Sequence, residues 1–268
     1  MAELINWNEL WRLKLLSNNR TRLDTVNFWD KQAVGFNENM VQMQDLTQKQ
    51  LERITLLPEY TVLDVGAGAG RLTIPIAKRV KQVTAVEPSS IMFSFLKSNA
   101  AKENVRNIVP VKISCKELKA NCSIRPHDVV IASFSLFMVD IADVLKTLDA
   151  LAKERVYLFM SASKWMTDEL QKIVYSDTLP FNCGDYLYVY NILHDLGILA
   201  NVEIWSFESN HCFSDLDDAV SKFKEDYPIP LNKEGELRIY LKDILVEENK
   251  KLWLKHERKA ATIWWTKT

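Results

Sequence analysis

The residues with the most chemical content form one stretch, Asp64-Val65-Gly66-Ala67-Gly68-Ala69-Gly70, followed further on by Glu87-Pro88-Ser89. Glycines at alternate positions after an apolar run let a strand turn sharply into a helix while a ligand lies against the backbone, because glycine tolerates dihedrals and approaches that a Cβ forbids. A carboxylate at the end of the next strand stands beside such a loop, where it can accept two hydrogen bonds from a ribose diol. The spacing separates two chemistries. Dinucleotide sites use G-x-G-x-x-G, in which a helix N-terminus meets a pyrophosphate. Counted from Gly66 and Gly68, the third glycine of that motif would fall at Arg71. Here the glycines stand at 66, 68 and 70, with Asp64 two residues before the first. A carboxylate beside the loop suits a cationic ligand better than a pyrophosphate.

Such a loop needs a strand before it, a helix after it and a second strand to carry the acid. The sequence supplies them. Thr61–Val65 reads as a buried strand, Arg71–Val80 as a helix and Val83–Val86 as the second strand, with Ser89 or Ser90 capping the next helix. Further strands are expected over Ile108–Ile113, Asp128–Ala132 and Val156–Met160, with a helix over Ile141–Ala152. Short apolar strands alternating with helices imply a parallel sheet covered on both faces. Ahead of them, Trp7, Leu10, Trp11 and Lys14 recur at helical spacing, and a short helix includes Trp29 to Phe36. Thr47 and Gln50 read as a capping box, with Leu46 and Leu51 as its hydrophobic staple. Downstream, Tyr186–Leu196 is helical with Gly197 as its C-cap, and Val202–Phe207 alternates like a strand. Ser214 and Asp217 suggest another capping box. Leu237, Leu241, Ile244, Leu245 and Leu252 predict one long helix whose solvated face carries the charges of Glu247–Lys259, and Ile263-Trp264-Trp265 forms a closing strand.

Composition narrows the class. The 268 residues are 47% hydrophobic and 26% charged with a formal net charge of −1, so the basic excess expected of a nucleic-acid binder is missing. No apolar run reaches membrane-spanning length, and the start Met1-Ala2-Glu3-Leu4 lacks a signal-peptide pattern. Cys115, Cys122, Cys183 and Cys212 form no CxxC pair and are expected as reduced thiols in the cytoplasm. His211-Cys212 is too small a set to hold a metal, and none is expected.

The D-x-G-x-G-x-G pattern of Asp64 to Gly70, with Glu87 after the second strand, resembles the S-adenosylmethionine-dependent methyltransferases of the Rossmann-like class. The likeness covers residues 45–161. The whole chain, with Trp29-Asp30-Lys31 near one end and Ile263-Trp264-Trp265 near the other, is similar to a group of small prokaryotic methyltransferases. The resemblance implies an α/β fold: a seven-stranded mixed sheet, mostly parallel with an antiparallel last strand, flanked by helices and carrying helical insertions. It implies one domain, with an N-terminal cap over 1–50, a cofactor core over 51–161, a lid over 162–258 that contains strand 202–207, and a final strand over 259–268. The cofactor is S-adenosylmethionine, leaving as S-adenosylhomocysteine. Asp64, Gly66, Ala67, Gly68 and Gly70 match the loop against its methionine part, Glu87 the ribose acid, and Pro88 and Ser89 the adenine side. Ser114 and Cys115 stand where the family often has an adenine-contacting acid, and are assigned a backbone contact there. Ser133 and Phe134 line the methyl-donor pocket. The run Ser133-Phe134-Ser135-Leu136-Phe137 departs from the N/D-P-P-Y/F motif of enzymes that methylate amino groups of bases or glutamine. The expected acceptor is therefore a small molecule, with no nucleic acid and no membrane as partner. Protein or RNA methylation, or cofactor binding without catalysis, are the alternatives. The glycine spacing predicts that titration calorimetry will detect binding of S-adenosylhomocysteine and none of NAD; the reverse result would overturn the assignment.

Overall fold

The computed structural model describes residues 5–17, 24–118, 124–164, 166–175 and 184–267. Cys122 and Cys183 lie outside them. A seven-strand path runs β3-β2-β1-β4-β5-β8-β6, from strands β1 (Thr61–Val65), β2 (Gln82–Val86), β3 (Ile108–Val111), β4 (His127–Ser133), β5 (Ala152–Ser161), β6 (Asn201–Phe213) and β8 (Lys251–Thr266). A short β7 (Val246–Glu248) pairs with β8 off this path. Strands β1 to β5 pair in parallel, and β8 runs antiparallel between β5 and β6.

Alternation along the strands builds two cores. Leu63, Val65, Val130, Ala132, Val156 and Leu158 face one side, with α1 (Trp7–Ser17), α6 (Ile141–Ala150) and α8 (Tyr186–Asp195). Val62, Val83, Val129, Ile131, Tyr157 and Phe159 face the other, with α3 (Gln44–Arg53) and α4 (Thr73–Ala77). On the first side α1 is locked in place. Fully buried Lys14 sits 2.7 Å from the Asp185 carboxylate and over the Tyr188 ring, and Trp11 Nε1 donates to Met138 O. A buried ion pair holds only with such close geometry, since both charges have left water. Between α1 and α3 lies α2 (Val26–Asn39), capped by Thr25, whose side chain accepts from Phe28 N. A fifth helix, α5 (Ser90–Lys102), packs under α2.

Beyond the sheet's C-terminal edge, β6 and β8 continue as a two-stranded ribbon. Phe213, Leu252 and Leu254 of the ribbon join α7 (Asp168–Tyr175), α9 (Leu216–Asp226) and α10 (Glu234–Ile244) in a separate small core around Leu237 and Leu241. No helix among the described residues is long and apolar enough to cross a membrane.

Several local expectations are corrected. The strand expected over 202–207 runs to Phe213, and the final strand starts at Lys251, because β6 and β8 pair over their whole length, from Asn201↔Trp264 to Phe213↔Leu252. The long helix expected through Leu252 therefore stops at Ile244. Residues 246–259 carry alternating charges that suit a ribbon with one wet face as well as they suit a helix, and pairing with β6 decides between them. The helix expected over Arg71–Val80 spans only Thr73–Ala77. The box at Thr47 and Gln50 is no cap: α3 begins at Gln44, Thr47 Oγ1 donates back to Met43 O, and Gln50 is buried. The cap expected at Ser214 falls one residue later, where Asp215 accepts from Asp218 N.

Candidate functional site

The loop after β1 turns through three left-handed glycines, with φ of +79° at Gly66, +56° at Gly68 and +92° at Gly70. Gly66 has no alternative on two counts. Its φ excludes most L-residues, and a Cβ there would lie 2.3 Å from Ser135 Cβ, at the end of the neighbouring strand β4. Gly66 N and Ala67 N both donate to Val86 O, which anchors the loop on β2. Gly70 N donates to Ala67 O and closes the turn into α4.

Glu87 sits at the end of β2, only 6% exposed, with both carboxylate oxygens in use: Oε2 accepts from Gly68 N and Oε1 from Ser89 N, each at 2.8 Å. Burial pushes its pKa up, and the two amide bonds oppose that push. The loop midpoint and the start of α5 are thus tied through one side chain. Ser89 is the N-cap of α5, accepting from Met92 N, and its hydroxyl donates to Asp30 of α2 at 2.5 Å. Pro88 lies between them, half-buried. At the end of β1, Asp64 is buried beneath α4 and accepts from Thr73 Oγ1 at 2.5 Å. Burial raises its carboxyl to about 6, against the opposing pull of the Thr73 bond and of nearby Arg71.

The end of β4 completes the site. Ser133 Oγ accepts from Gln50 Nε2 at 2.9 Å and from Arg71 Nη2 at 3.1 Å. Phe134 adopts φ +51°, a conformation costly for a bulky side chain, and its N–H donates to Phe159 O on β5. Ser135 then donates to Val65 O at 2.6 Å, so the end of β4 is stitched to the end of β1 beside Gly66. Above this surface lies α2. Phe36 carbons stand 3.7–4.0 Å from where a Gly68 Cβ would be, and Trp29 stacks on Phe137 with ring centroids 6.0 Å apart.

The structure therefore brings together Asp64, Gly66, Ala67, Gly68, Gly70, Glu87, Pro88, Ser89, Ser133 and Phe134 at the sheet's C-terminal edge. Ser114 and Cys115 share no hydrogen bond with this network. Ser114 N and Oγ both donate to Glu117, and burial raises the Cys115 thiol to about 12, so it is a packed thiol and no nucleophile. Among the other residues weighed from sequence, His194 is exposed in the last turn of α8, and His211 lies on the ribbon with its ring centroid 6.4 Å from that of His256. Sequence reasoning quoted Asp30 and Ser135 only within longer runs and gave Arg71 no role. Arg71 carried a signal, as a cation directly after the last glycine.

Comparison with known proteins agrees with this geometry. Residues 62–154 match the family model of a methyltransferase domain. An uncharacterized protein of Haemophilus influenzae is 30% identical over 212 residues, covering 78% of this chain and 76% of its own. A probable ribosomal RNA small subunit methyltransferase A of Methanosphaera stadtmanae is 40% identical, over only 62 residues and 23% of each chain. Among solved structures, a precorrin-6y C5,15-methyltransferase of Geobacter metallireducens shares the fold, with a TM-score of 0.51, 15% identity and coverage of 84% of this chain and 88% of that one. The chain carries the methyltransferase domain of that family and shares its fold with solved methyltransferases. The methyl donor that such a domain implies is S-adenosylmethionine. The cradle fits that group: the positive-φ glycines leave the loop surface without side chains, and the carboxylate at its midpoint keeps lone pairs beyond those given to Gly68 and Ser89.

The raised Asp64 carboxyl has a consequence for stability. A carboxyl whose folded pKa of about 6 exceeds its ordinary 3.8 favours the folded state most at low pH, and that support is lost as pH rises through about 6. The stability of Asp64→Asn relative to wild type should therefore climb between about pH 4 and about pH 7, by up to about 3 kcal/mol in urea melts. A difference flat across that range would show that Asp64 titrates as an ordinary carboxyl.

Proposed function

We propose that this methyltransferase methylates a small molecule of the cytoplasm, in a pocket enclosed between the β4 end and α2. The bound donor supplies an already activated sulfonium methyl group. The protein's task is then to position the reactants and exclude water, which can supply most of the rate when the reacting atoms are held in line. In this reading Gly66 to Gly70 carry the methionine part, and Glu87 turns its remaining lone pairs to the ribose diol. Pro88 and Ser89 flank the adenine, with backbone at Ser114 or Cys115 closing its far side. Ser133 and Phe134 border the methyl. Aromatic faces stabilise cations, and Phe36 at Gly68 and the stacked Trp29–Phe137 pair stand over the loop.

The observation that carries the small-molecule reading is the roof. Helix α2 touches the site at three points, through Phe36 at Gly68, Asp30 at Ser89 and Trp29 at Phe137, which supports a covered site over one presented to a flat polymer. The near-neutral net charge supports it, as does the lack of the N/D-P-P-Y/F motif. Lying over the loop, α2 also serves as the lid in this reading, together with parts of 162–258, and closes once the cofactor has entered.

Two measurements test this. Methyl-labelled S-adenosylmethionine incubated with the protein and a cell extract should place label in the metabolite fraction; label confined to RNA or protein would reject the small acceptor. Hydrogen exchange with S-adenosylhomocysteine should show protection within residues 1–50 or 162–258, and unchanged exchange in both would reject the lid.

A further inference from the structure

The two ends of the loop differ in charge. At the Gly68 end stand the carboxylates of Glu87 and Asp30, joined through Ser89. At the Gly66 end stands Arg71. Its Nη1 donates to Thr47 Oγ1 at 2.8 Å and its Nη2 to Ser133 Oγ at 3.1 Å. Both partners are neutral hydroxyls. Among the described residues no carboxylate lies in ion-pair contact with the guanidinium, and Asp64, the carboxylate whose charge it feels, is bonded to Thr73 instead. A guanidinium has five N–H donors in a planar fork, so at least three are left over in a half-buried position. The surrounding cluster is also incomplete: Ser133 Oγ is met by two donors, while buried Gln50 Oε1 meets none. Covering a cation without an adjacent counter-charge is expensive, and burial pulls the Arg71 pKa down to about 10.

A ligand whose one end is a ribose diol and whose other end is an amino acid matches this polarity. We infer that Arg71, held by Thr47 and Ser133, pairs with the carboxylate at the amino-acid end of the cofactor, so that α3 and β4 sense whether that end is filled. The inference rests on the methyltransferase reading of the loop. It assigns a role to Arg71, Thr47 and the Ser133 side chain that the glycine motif does not contain. Because the fork of arginine grips a carboxylate through two parallel bonds, lysine at this position would be only a partial replacement.

The test compares two thioether ligands by calorimetry on the full chain. S-adenosylhomocysteine carries the amino-acid carboxylate, and 5′-methylthioadenosine keeps the nucleoside and sulfur but lacks it. Wild type should bind the first more tightly. Arg71→Met should weaken S-adenosylhomocysteine by roughly ten- to a hundredfold, as expected for losing a charge-assisted pair, and leave 5′-methylthioadenosine within about twofold. Arg71→Lys should fall between the two. Glu87→Ala, which removes the ribose acceptor and the brace on Gly68, should weaken both ligands by at least roughly tenfold. Equal weakening of both ligands by Arg71→Met would reduce Arg71 to a brace for α3 and overturn the inference, as would unchanged S-adenosylhomocysteine binding. Wild type that binds both ligands equally would overturn it while leaving the methyltransferase reading intact, whereas wild type that binds neither would overturn both.

Discussion

Everything at this site depends on one carboxylate shared by two backbone amides. Glu87 accepts from Gly68 N and Ser89 N, and so fixes the middle of a glycine loop to the first turn of a helix on the next βα unit. Three left-handed glycines give up more backbone entropy than any other residues would, so the loop needs an external anchor to stay in one shape. Hydrogen bonds to an ionised group are among the stronger ones available to a loop, on the order of 1.5–3 kcal/mol each. Burial raises the Glu87 pKa, and the two amides work against that rise. In the proposed reading the anchor and the ligand acceptor are thus the same group, so cofactor binding and loop order go together, and a glutamine, which offers one acceptor oxygen, can serve only one of the two amides.

A second set of constraints holds the opposite side of the loop. Ser135 donates to Val65 O and fills the space that a side chain at Gly66 would need, while Phe134 takes a left-handed conformation to let the chain make that turn. Strain of this kind survives only where neighbours over-determine the backbone. Here the neighbours are β1 through Ser135 and β5 through the Phe134 N–H bond to Phe159 O. The result is a rigid floor of three parallel strand ends beneath a roof, α2, held through side chains. The roof meets the floor through a ring stack, an aromatic edge and one hydroxyl–carboxylate bond, and it packs on α5 through Ala33, Met92 and the Asn99–Asn37 bond.

The sheet and the loop were legible from residues because each rests on short-range rules. Alternation of apolar strands with helices specifies a parallel sheet, and the spacing of Gly66, Gly68, Gly70 and Glu87 specifies the loop and its acid. What failed was governed by distant partners. Residues 246–259 read equally well as a wet helix face or as a ribbon, and only the long antiparallel pairing of β6 with β8 separates them. Thr47 and Gln50 have the composition of a capping box, yet their side chains reach Arg71 and Ser133, far along the chain. Asp30 and Ser135 are ordinary polar residues until α2 folds over Ser89 and β4 aligns beside β1.

The same distinction explains why the cofactor is easier to identify than the acceptor. In the proposed reading the cofactor lies along backbone that must follow one path, so its signature is written in residues that permit the path. In the same reading the acceptor meets side chains of α2 and of the turn after β4, which come together only in the folded chain. The small core of the ribbon and its helices is built around Leu237, Leu241 and Phe223, separate from the two cores of the sheet. Substitutions within it can therefore be made without disturbing the two cores of the sheet. A fold hosts many chemistries, so the reaction is argued from the glycine loop and its acid, and the substrate from the side chains that surround them.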